Sequence, residues 1–109
     1  MLQKVLEQPM LLVMGMLLAS SLMFPSAHAA DEGKLLAWKY HCVTCHGDNG
    51  MSNDARYPHL AGQNTAYIVS RLKYFRAQEE PGNQMNAQAV LLDDETIDLL
   101  AEYFNKQVR

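Results

Sequence analysis

Cys42-Val43-Thr44-Cys45-His46 is the stretch of this 109-residue chain whose residue types and spacing can do chemistry. Two residues between the sulfurs match the separation of the two vinyl groups of a porphyrin, and a histidine directly after the second cysteine is carried under the ring. The motif therefore predicts one covalently bound haem c, attached through Cys42 and Cys45, with His46 as an axial iron ligand. Cys-x-x-Cys also serves redox disulfides and zinc sites. Zinc fares poorly because these are the only two cysteines, so the remaining ligands would have to come from His41, His59 or carboxylates at no familiar spacing. A thioredoxin-type motif normally opens a helix that follows a strand, and no strand-like run precedes Cys42.

A second axial ligand is expected from Met85. It sits in the polar segment Asn83-Gln84-Met85-Asn86-Ala87, thirty-nine residues after His46, which is enough chain to pass round a haem edge and place sulfur on the opposite face. Met51, five residues after His46, is tied to the same side as the motif, as is His41; His59 lies in the same loop. The alternative for Met85 is a gap-filling core residue. Pro58 can aim its carbonyl at the outer nitrogen of His46, which would hold the tautomer and strengthen the ligand. Pro58 and Leu60 are thus expected against the haem, behind the ligands.

These groups need elements to position them. Asp31 can cap a first helix in which Leu35, Trp38 and Cys42 fall at steps of three and four, so Trp38 is expected as a core aromatic near the haem. From Gly47 to Gln63 periodicity gives way to turn formers, which predicts a loop over one haem edge. Asn64 offers a cap to a second helix with Ile68, Leu72 and Phe75 as its apolar stripe, stopping at Pro81-Gly82. Asp93 begins a last helix whose buried face is Ile97, Leu100, Ala101 and Phe104, with Asp94 and Glu95 in its first turn and Lys106 and Arg109 near its end. That helix is expected to cross the first.

The chain is long enough for one domain, and residues 1–29 read as a signal peptide. Met10 to Phe24 is apolar, Lys4 precedes it, and Ala27-His28-Ala29 suits cleavage before Ala30. A retained membrane anchor is the alternative, although fifteen residues are short for a hydrocarbon core that needs about 20. Export agrees with covalent haem attachment, which needs reduced thiols on the outer side of a bacterial cytoplasmic membrane, so the expected compartment is the periplasm. Residues 30–109 are then a domain of marginal size, for which a covalent haem is the staple. From Ala30 onward eight basic side chains face eleven carboxylates, a balance that argues against nucleic acid as a partner.

Taken together these residues resemble the class I c-type cytochromes, in particular the small bacterial monohaem ones. The resemblance rests on Cys42-Val43-Thr44-Cys45-His46-Gly47, Leu60-Ala61-Gly62-Gln63, Met85-Asn86 and Ile97 to Phe104. It implies an all-α fold of three main helices with loops wrapped round one haem c, His46 and Met85 as axial ligands, and single-electron carriage between transient redox protein partners. An iron with both axial positions filled has no place for substrate, so a carrier is expected and not an enzyme. A cytochrome subunit of a larger oxidoreductase would carry the same features. A five-coordinate haem protein that binds a gas or does peroxidase chemistry would follow if Met85 were packed away from iron. One departure is Ala77-Gln78-Glu79-Glu80-Pro81-Gly82, where relatives often carry glycine with basic residues.

Overall fold

A computed structural model describes residues 27–109. The order of elements is α1 (Ala27–Lys39), α2 (Cys42–His46), α3 (Thr65–Arg76), α4 (Gln84–Ala89) and α5 (Asp94–Asn105). Three long helices thus carry two short ones, and among the described residues there is no strand. Most of the segment expected to be a signal peptide, residues 1–29, lies outside the described residues, and Ala27 to Ala29 form the first residues of α1. Among the described residues no helix is long and apolar enough to cross a membrane.

The capping residues act as the sequence requires at α3 and α5. The Asn64 side chain accepts from the Tyr67 amide at 3.0 Å, and Asp93 accepts from the Thr96 amide at 2.8 Å, each satisfying a donor that the first helical turn leaves open. α5 buries Ile97, Leu100, Ala101, Tyr103 and Phe104, as its periodicity predicts. α1 does not begin at Asp31. It starts four residues earlier at Ala27, because the alanine-rich Ala27-His28-Ala29-Ala30 continues the helix backward.

The face that α1 turns inward also differs from expectation. Leu35 is 70% and Trp38 51% exposed, whereas Gly33 and Ala37 are buried and Leu36 and Tyr40 half-buried. α1 packs on α5 through the small residues. A Cβ on Gly33 would lie 2.7 Å from Tyr103 Cβ and 2.8 Å from the Leu99 carbonyl oxygen, so the helices meet at a distance only glycine permits. Trp38 lies outside the core, off the face of α1 that carries Gly33 and Ala37.

Four hydrogen bonds tie the loop after α2 to the end of the chain. Tyr103 Oη donates to the Asp48 carbonyl at 3.0 Å, and the Gly62 amide donates to the Phe104 carbonyl at 2.9 Å. Asn105 Nδ2 donates to Gln63 O at 2.8 Å and Arg109 Nε to Ala61 O at 2.6 Å. Arg109 thus serves the loop rather than the C-terminus of α5. Across the molecule, Arg76 at the end of α3 donates to Leu92 O at 2.9 Å and to Asp94 Oδ1 at 2.7 Å, closing the segment that carries Met85 onto the start of α5.

Candidate haem site

A cleft of about 800 Å³ is lined by α2 and the loop that follows it, by α3 and by the Met85 segment. Cys42, Cys45, His46, Pro58, Leu60 and Met85 all line it. Its floor is apolar, built from Ile68, Leu72 and Phe75 of α3 and Leu100 and Phe104 of α5. The expected stripe of α3 is therefore correct, but Leu72 and Phe75 are only half-buried because their free side is the cleft wall.

His46 is 6% exposed, and its Nδ1 lies 2.8 Å from the Pro58 carbonyl oxygen. A carbonyl only accepts, so Nδ1 carries the proton and Nε2 keeps its lone pair for a metal. The backbone before α2 turns sharply through His41, which adopts left-handed φ 60°, and this turn lets a five-residue helix present both cysteines and His46 to one cleft. After His46, Gly47 takes φ 87°, where a Cβ would collide with the Met51 carbonyl. A glycine there lets the chain double back toward Pro58.

The thiols are half-buried and unpaired. Burial pushes the Cys42 thiol up to about 11, so as a free thiol it stays protonated near neutrality, the opposite of a redox-active thiolate. Among the described residues no three His, Cys, Asp or Glu side chains are grouped so as to hold a metal ion. The donor set fits a haem instead: two sulfurs, one oriented imidazole, a thioether in the same cleft and an apolar floor.

Met85 is not in an irregular loop, as its polar neighbours suggest, but in the first turn of α4. Asn83 caps that helix by accepting from the Met85 amide at 2.8 Å, and Asn86 Nδ2 donates to the Glu80 carbonyl at 2.8 Å. Asn86 Oδ1 is buried with no hydrogen-bond partner. These bonds fix the backbone from which the thioether projects. Of the rival ligands, His41 and His59 line the same cleft and Met51 does not. Met51 lies outside the cleft, beside Trp38 in a separate hollow, and the Nδ1 of His59 accepts from the Ser52 amide at 2.8 Å.

Tyr67 lines the cleft but is 54% exposed, and Tyr74 packs on Phe75 and Arg71 without lining it. Arg71 and Arg56 are the cations of the cleft wall. Arg56 is held by Asp54 at 2.6 Å, whereas Arg71 lies 4.4 Å and 4.7 Å over the Tyr74 and Phe75 rings with Glu80 at 3.7 Å. Arg71 falls off the apolar stripe, so hydrophobic periodicity did not single it out. The four-residue spacing from Tyr67, another cleft residue, was its available signal.

Residues 30–107 match the family model described as cytochrome c. The chain is 39% identical over 82 residues to cytochrome c-554(548) of Halomonas halodenitrificans, covering 72% of this chain and 94% of that protein. It is 35% identical over 74 residues to the thiosulfate dehydrogenase electron acceptor of Stutzerimonas stutzeri, covering 62% of this chain and 34% of the other. Among solved structures, cytochrome c4 of Acidithiobacillus ferrooxidans superposes with a TM-score of 0.65 at 28% identity, over 72% of this chain and 49% of that one. The chain thus spans about a third of the electron acceptor, half of the cytochrome c4 and nearly all of cytochrome c-554(548).

Proposed function

The chain belongs to the cytochrome c family, and from that premise we propose that it is a single-electron carrier whose haem c is attached through Cys42 and Cys45 and ligated by His46 and Met85. The observation that carries this reading is that one cleft is lined both by the three motif side chains of α2 and by Met85 of α4. The haem supplies Fe(III)/Fe(II) exchange.

The protein's own residues do the rest. His46 is held through Nδ1 by the Pro58 carbonyl, so that Nε2 keeps its lone pair free and would ligate the haem iron. Met85 presents a soft, neutral sulfur, which favours the ferrous state and raises the potential. Ile68, Leu72, Phe75, Leu100 and Phe104 line the cleft and would keep water from a haem held there. His46 and the backbone of Met85 are each held by a hydrogen bond, so both residues would hold a haem iron with little rearrangement between its two oxidation states and would leave it no open position for a substrate.

Export completes the reading: residues 1–29 direct the chain across a bacterial membrane and are removed before Ala30, placing residues 30–109 in the periplasm. There the protein exchanges electrons with transient redox protein partners. The relative from Stutzerimonas stutzeri, named as an electron acceptor of thiosulfate dehydrogenase, supports a role downstream of a separate dehydrogenase. The test is Met85→Ala. The variant should gain binding of carbon monoxide in the ferrous state and fall in reduction potential. A variant with the wild-type potential and no gas binding would show that Met85 is not the ligand.

A further inference from the structure

We propose that His59 is a positioning residue for the axial histidine: its ring fixes the Pro58 carbonyl on His46 and thereby lowers the reduction potential. This rests on His46 being the iron ligand.

Pro58 and His59 share one peptide group, whose oxygen is the acceptor for His46 Nδ1 at 2.8 Å. How firmly that oxygen stays on the ring depends on what holds the peptide. On its C-terminal side the amides of Leu60 and Ala61 both donate to the Gly50 carbonyl, at 2.8 and 3.1 Å. The remaining tie is the His59 side chain, whose Nδ1 accepts from the Ser52 amide at 2.8 Å. Ser52 is itself fixed, since its Oγ donates to the Asp54 carbonyl at 2.8 Å and accepts from the Asp54 amide at 3.0 Å.

The result is a closed circuit running from His46 through Gly47 and Gly50 to Ser52, across to His59, and back through the Pro58 carbonyl to His46. An amide N–H only donates, so Nδ1 of His59 is the unprotonated nitrogen and cannot serve as a ligand while this bond lasts. The histidine that looked from sequence like a rival ligand is instead a brace behind the true one. A firm carbonyl acceptor gives His46 more imidazolate character, which favours Fe(III). Loosening it favours Fe(II).

The experiment compares His59→Ala with His59→Asn in the haem-loaded protein. Alanine removes the acceptor, whereas the asparagine Oδ1 branches from Cγ as Nδ1 does and can take the Ser52 amide. The reduction potential should rise in His59→Ala and return toward wild type in His59→Asn, with the reduced absorption spectrum unchanged in both. A wild-type potential in His59→Ala, or an equal rise in both variants, would overturn the proposal. If His59→Ala does not take up haem, the wild-type holoprotein decides. A Ser52 amide protected from hydrogen exchange, with His59 Nδ1 unprotonated by ¹⁵N NMR, supports the brace, and an unprotected amide overturns it. Carbon monoxide binding by the wild type would remove Met85 as a ligand but leave this comparison readable, because His46 ligates in either case.

Discussion

Gly33 on α1 lies directly against Tyr103 on α5, so close that a Cβ on Gly33 would sit 2.7 Å from Tyr103 Cβ. The same tyrosine hydroxyl donates to the Asp48 carbonyl at 3.0 Å, in the loop that follows His46. One residue of α5 thus receives the first helix on one side and anchors the proximal loop on the other. The packing of the chain's ends and the placement of the metal ligand are therefore linked.

Gly33→Ala measures that link. In an isolated helix the change would gain about 1 kcal/mol of helix propensity. Here the methyl meets the Leu99 carbonyl at 2.8 Å as well as Tyr103, neither a flexible side-chain end, and overpacking costs about 1–3 kcal/mol. The expected outcome is a net loss of stability, read as a lower urea midpoint of the holoprotein. A higher midpoint would mean that the helices separate without cost.

Acid should destabilise the start of α5. The Asp93 carboxyl is held below its usual value chiefly by the Thr96 amide, and Asp94 chiefly by the Arg76 guanidinium. Groups with depressed folded values contribute stability that is full above their unfolded value, about 3.9, and lost as pH falls through the folded one. Asp93→Asn keeps a capping oxygen but cannot titrate, so its stability should decline less steeply below about pH 4 than that of wild type. Denaturant midpoints measured down the acid limb check this, and equal slopes would remove Asp93 from the linkage.

The parts of the structure legible in the sequence are those governed by short-range rules. The attachment motif, the Asn64 and Asp93 caps and the buried face of α5 follow from spacing and side-chain type within a few residues. Leu35 and Trp38 misled because large apolar residues at helical steps suggest a core face, whereas α1 packs through Gly33 and Ala37, which carry little weight in a hydrophobic pattern. α4 is too short for periodicity to reveal. Arg76 bonds residues 16 and 18 positions away, and His59 acquires its acceptor role only when the loop folds Ser52 onto it. Met85 was legible as a thioether in an unexpectedly polar stretch, and the same cleft receives it.

The most direct test of His46/Met85 ligation is the absorption spectrum of the ferrous, haem-loaded protein with and without carbon monoxide. A c-type haem spectrum that the gas leaves unchanged is the predicted result, because both axial positions are occupied by the protein. A spectrum that shifts on adding the gas would contradict the closed site and make the protein a ligand-binding haem protein instead of an electron carrier.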